Sequence, residues 1–66
     1  MITRKDFEAI SRWISPAATV LDLGCGDGEL LKFLAQDKRI TGYGIENDDA
    51  GVLACVGNGV NVIQSN

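Results

Sequence analysis

The sequence predicts an α/β fold of the Rossmann-like kind, a three-layer sandwich when complete and here its first half: a helix, then βαβαβ with parallel strands in the order 3-2-1. Three observations carry that reading. In Val20-Leu21-Asp22-Leu23-Gly24-Cys25-Gly26-Asp27-Gly28-Glu29-Leu30-Leu31, a short apolar run breaks into alternating glycines and then resumes at helical spacing. Strand-like and helix-like segments alternate along the rest of the chain, as in parallel βαβ units. An acid, Glu46, closes the second strand-like segment 22 residues beyond Gly24.

Taken in order, Phe7, Ile10, Trp13 and Ile14 fall at helical spacing, with Glu8, Ser11 and Arg12 on the other face. This predicts an amphipathic helix over 4–14, started by Thr3 or Asp6 and stopped by Ser15-Pro16. Pro16-Ala17-Ala18 is a linker, and 19–23 is the first strand. The next helix runs over 28–36 with Asp27 as its N-cap, and Leu30, Leu31 and Leu34 form its apolar face. Asp37-Lys38-Arg39 reads as a polar turn and 40–46 as the second strand. Gly42 and Gly44 weaken that strand but permit close backbone approach. A helix over 49–56 should turn Val52, Leu53 and Val56 inward, and Gly57-Asn58-Gly59 ends it. Val60 to Ile63 is the third strand.

Two successive crossovers in one direction put both connecting helices on one face of the sheet. The other face and one edge of the first strand are then bare, whereas parallel sheets are ordinarily covered on both faces. The expectation is therefore the front half of a doubly wound domain over 1–66, its cover supplied by further chain or by a partner surface, with self-association through the bare face as the hazard.

Composition narrows the classes. A chain of 66 residues is at most one small domain and buries only about 60% of its unfolded surface. The formal charge of −3 gives no electrostatic footprint for nucleic acid or an anionic membrane, so neither is expected as a partner of this segment. Cys25 and Cys55 form no CxxC pair and there is no histidine, so no metal site is expected. Met1-Ile2-Thr3-Arg4-Lys5 leads into an amphipathic segment, not a secretory apolar stretch, which places the expectation in the cytoplasm.

The loop specifies its ligand further. A dinucleotide fingerprint would need glycine where Glu29 stands, and Asp22 and Asp27 would set like charge against a pyrophosphate. A cationic, amine-bearing adenosyl ligand fits better, and S-adenosylmethionine is the natural candidate. Glu46, at a strand end, is placed to accept from both ribose hydroxyls, and its charge would repel a 2′-phosphate. Asp22 would orient the amino group of a methionyl moiety. Cys25, without a histidine to act as base, reads as a small filler within the loop and not as a nucleophile.

Asp22-Leu23-Gly24-Cys25-Gly26-Asp27-Gly28 resembles motif I of the class I S-adenosylmethionine-dependent methyltransferases, and Gly44-Ile45-Glu46 resembles their second-strand acid. With Asp6 to Ile10, Asp48 to Val56 and Gly59 to Gln64 added, the chain resembles the N-terminal part of the MetW family of methionine biosynthesis proteins. The resemblance implies a methyltransferase-like domain that binds S-adenosylmethionine or S-adenosylhomocysteine and is associated with homoserine O-acetyltransferase as a partner or activating subunit. It also implies an acceptor for the adenine amino group after the third strand, where this chain has Asn66 in place of an aspartate. The cofactor residues expected are thus Asp22, Gly24, Cys25, Gly26, Gly28, Glu46, Asn47 and Asn66, with no catalytic residue assigned.

Overall fold

A computed structural model describes residues 3–66, so the Met1-Ile2 start of the targeting argument lies outside the described residues. Thr3 opens α1 (Arg4–Arg12) with a capping box: its hydroxyl accepts from the Asp6 N–H, and the Asp6 carboxylate accepts from the Thr3 N–H at 2.8 Å. Both caps proposed from the sequence therefore act together. The helix stops two residues short of the expected end. The N–H groups of Trp13 and Ile14 reach back three residues, to Ile10 and Ser11, and tighten the last turn. That tightening swings Trp13 off the packed face, leaving it 79% exposed, against its expected inward place. Ser11, assigned to the polar face, is instead buried and donates its hydroxyl to the Asp37 carboxylate.

Asp37 is available because α2 (Glu29–Lys38) runs on through the expected polar turn and ends at Arg39, which adopts the left-handed conformation. Phe7 of α1 meets Phe33 of α2 with ring centroids 5.7 Å apart, and the Arg4 guanidinium lies 5.0 Å from the Phe33 ring centroid. These contacts fix α1 against α2, and so fix where the start of α1 lies relative to the glycine loop.

Strands β1 (Thr19–Leu23), β2 (Thr41–Glu46) and β3 (Asn61–Gln64) form one parallel sheet in the order β1-β2-β3, with α3 (Asp49–Gly57) between the last two. This is the 3-2-1 order of the sequence reading, seen from its other edge. The register aligns Asp22, Gly44 and Val62 on the helix-covered face, and Leu23, Ile45 and Ile63 on the opposite one. Glycine in β2 is a packing requirement. A Cβ on Gly44 would lie 2.4 Å from the Cys25 sulfur, and one on Gly42 would lie 3.0 Å from a Leu31 methyl group. The core is Cys25, Leu31, Leu34, Ile40 and Cys55, flanked by Val20, Val60 and Val62.

On the opposite face Leu21, Leu23 and Ile63 are more than 60% exposed and Tyr43 is 46% exposed. Among the described residues no helix covers that side, as the one-directional crossovers require. α3 departs from expectation in orientation: Leu53 and Val56 are exposed at 72% and 64%, while Cys55 is fully buried. The helix is apolar on every side, so periodicity gave no face. Its small residues pack inward because they let its backbone come close.

Candidate functional site

The glycine loop joins β1 to α2 and is held from β2. The N–H groups of Gly24 and Cys25 both donate to the Ile45 carbonyl, at 2.8 and 3.1 Å, and the Gly28 N–H closes a turn on the Cys25 carbonyl at 3.1 Å. Gly24, Gly26 and Gly28 have φ of +72°, +61° and +81°, a region where other residues are strained. Their surroundings divide them. Cβ atoms on Gly24 and Gly26 would meet nothing within 4 Å, whereas one on Gly28 would lie 3.0 Å from the Cys55 sulfur and from a Val60 methyl. Two glycines thus bare their backbone to open space, and the third lets the helix start pack against α3 and β3.

Gly28, not Asp27, occupies the N-cap of α2, in the left-handed conformation and with no side-chain cap of its own. Asp27 still serves that turn, since its carboxylate accepts from the Glu29 N–H at 3.0 Å. Asn58, the C-cap of α3, was not legible as a site residue. Its amide donates to the Asp27 carbonyl at 2.9 Å and to the Glu29 carboxylate at 3.1 Å, pinning the loop exit.

Glu46 ends β2 against this loop. One carboxylate oxygen accepts from the Gly26 N–H at 2.8 Å and the other from the Asp48 N–H at 3.0 Å. Those amides, the Asp48 contact first and the Gly26 contact next, hold its carboxyl below the ordinary glutamate range. A carboxylate has about four lone-pair positions. Two are taken here, which leaves acceptor capacity for two further donors. The sign of the pH effect follows from the depressed value. Stabilisation by Glu46 is complete above the ordinary glutamate pKa and is lost as pH falls through the lowered one. The urea midpoint should therefore fall below about pH 4, and Glu46→Gln should remove that part of the fall; an equal fall in the variant would contradict it.

Asp22 is half-buried, and its desolvation raises its carboxyl above the ordinary aspartate range. It lines a cleft of about 460 Å³ together with Thr3, Arg4 and Phe7 of the first helix and with Gly24 and Cys25 of the loop. Asp27 and Glu29 line it too, so the cleft presents three carboxylates, suited to the ammonium or sulfonium end of a ligand, while the Arg4 guanidinium lies over the Phe33 ring. Arg4 was not legible as a site residue, because only the α1–α2 packing brings it here. A larger groove of about 610 Å³ runs along α1 and α2 past Glu8, Ser11 and Asp37, and no glycine of the loop lines it.

The Cys25 side chain is turned into the core, 8% exposed and 3.6 Å from the Cys55 sulfur. Burial first, then the neighbouring Cys55 thiol and nearby negative charge, push its thiol up to about 11, so it stays protonated at neutral pH. It offers no nucleophile, in keeping with the filler role. Asn47 follows Glu46 directly, exposed, with its carbonyl accepting from the Gln64 amide at 3.3 Å. The Ser65 N–H donates to the Glu46 carbonyl at 3.0 Å, which brings the β3 exit and the exposed Asn66 beside the end of β2. All the expected cofactor residues therefore gather at the carboxyl ends of the three strands, where open α/β sheets take ligands.

A parallel sheet with a leading helix and a glycine loop answered by an acid on the second strand is a Rossmann-like arrangement, and S-adenosylmethionine-dependent methyltransferases are among the solved structures that match it. The chain superposes on the Escherichia coli protein YjhP with a TM-score of 0.86 at 27% identity. It superposes on S-adenosylmethionine-dependent methyltransferases from Thiobacillus denitrificans (TM-score 0.80, 27% identity) and Geobacter sulfurreducens (TM-score 0.77, 30% identity), both solved with S-adenosyl-L-homocysteine. Each match covers 97% of this chain and 30% of the other, so the chain spans under a third of their length. The family model described as methionine biosynthesis protein MetW matches residues 4–66, and the chain belongs to the MetW family. No curated protein sequence gives a significant match.

Proposed function

We propose that this chain binds S-adenosylmethionine, or its product S-adenosylhomocysteine, across the glycine loop, and serves methionine biosynthesis in the cytoplasm as a partner or activating subunit of homoserine O-acetyltransferase. The observation that carries the cofactor reading is Glu46, fixed between the Gly26 and Asp48 amides with acceptor capacity left over. The two ribose hydroxyls of an adenosine are the matching donors. Asp22, on the wall of the cleft beside the loop, accepts from the ligand's ammonium group. Support for the cofactor also comes from the two similar methyltransferases solved with S-adenosylhomocysteine, and support for the metabolic assignment from the family.

The role of the protein is then to hold the sulfonium ligand in a fixed orientation on a rigid loop. If an acceptor is methylated, proximity and in-line alignment supply most of the effect, because the sulfonium brings its own leaving group. That second reading, an active methyltransferase, is favoured by what the similar structures from Thiobacillus and Geobacter are.

Glu46→Gln should weaken S-adenosylhomocysteine binding about 10- to 100-fold, through loss of a charge-assisted acceptor. Calorimetric titration checks this, and unchanged affinity would reject the ribose role. Co-purification with homoserine O-acetyltransferase supports the partner reading, whereas methyl transfer from labelled cofactor without such association would favour the enzyme.

A further inference from the structure

Gly26 is gripped at both ends of its backbone. Its N–H donates to Glu46, and its carbonyl accepts from the Cys55 thiol, which lies 3.2 Å away. Cys55 belongs to α3, as does Gly51 four residues earlier, on the same side of the helix. At Gly51 the helix backbone comes so close that an added Cβ would lie 3.0 Å from the Gly26 carbonyl oxygen and 3.0 Å from the Glu46 Cγ. The Gly51 N–H donates to the Asp48 carboxylate at 3.0 Å, while the Asp48 N–H holds the second oxygen of Glu46. Glycine weakens a helix relative to alanine, and here it permits this approach.

From this arrangement we infer that Gly51 and Cys55 are positioning residues for the cofactor: the first turns of α3 form a backstop that sets the Gly26 peptide and the Glu46 carboxylate in their binding geometry. The inference rests on the cofactor reading above and extends it to two residues that touch no ligand. Gly57 supplies an internal control. It lies in the same helix, and an added Cβ there would meet nothing within 4 Å.

The test compares Gly51→Ala with Gly57→Ala in the 66-residue chain. Two readouts are used: calorimetric affinity for S-adenosylhomocysteine, and the acid titration of the Gly26 amide followed by NMR. Asp22, Asp27, Glu29, Asp48, Asp49, Arg4 and the two cysteines are the other titratable groups around the loop, so Glu46→Gln identifies which step belongs to Glu46. Gly51→Ala should weaken binding at least tenfold and move the Gly26 midpoint upward, toward the ordinary glutamate range. Gly57→Ala should do neither. Equal affinity in the two variants, or an unmoved midpoint in Gly51→Ala, would overturn the inference. If Gly51→Ala fails to fold, Cys55→Ala decides: it releases the Gly26 carbonyl without adding bulk. A shifted Gly26 amide with affinity several-fold lower supports the backstop, and no change in either refutes it. Failure of the unsubstituted chain to bind would instead reject the cofactor reading, and the amide titration would then decide the positioning by itself.

Discussion

Gly26→Val abolishes binding of the adenosyl ligand while leaving the sheet and helices in place. The backbone at Gly26 has a φ of +61°, and a β-branched residue held there is strained by about 1–2 kcal/mol. The larger effect is on the ligand side. Because a Cβ at this position would meet no protein atom within 4 Å, the valine methyl groups project into the open space over the loop. That is where the proposed ligand must approach the backbone. Gly28→Val would damage something else, since its substituent runs into Cys55 and Val60. The two variants therefore separate a binding defect from a folding defect. Retained affinity in a folded Gly26→Val chain would show that the ligand does not cross this loop.

Leu34→Ala should cost about 2–5 kcal/mol of stability. Leu34 is 1% exposed in the core it forms with Cys25, Leu31, Ile40 and Cys55, so its truncation leaves a buried cavity. A chain of this size has roughly 3–10 kcal/mol in total, so one truncation removes a large share of it. Leu53→Ala, at a position 72% exposed on α3, should change stability by no more than about 0.5 kcal/mol. Urea unfolding of the pair measures the difference. Similar losses at both sites would mean that α3 packs through the face the sequence suggested, with Leu53 turned inward.

Much of the architecture was legible because it is written locally. The β1 bounds, the glycine loop, the start of α3 and the acid at the end of β2 each rest on residues adjacent in sequence. What was not legible depends on how elements meet. Ser11 looks like a surface polar residue until Asp37 is brought opposite, and α2 extends through Asp37 and Lys38 because that partner, and a left-handed Arg39, complete its end. The inward face of α3 is set by close backbone approach at Gly51 and not by the size of its apolar side chains. Asn58 and Arg4 reach the site only through tertiary packing, so no local pattern marks them. The roles of the three loop glycines were likewise indistinguishable in sequence, and differ only in what surrounds each one.

The most direct test of the central claim is a calorimetric titration of this chain with S-adenosylmethionine, run beside NADH. The account predicts saturable binding of S-adenosylmethionine alone, abolished by Gly26→Val and weakened by Glu46→Gln. Preferential binding of NADH, or binding of S-adenosylmethionine indifferent to both substitutions, would contradict it.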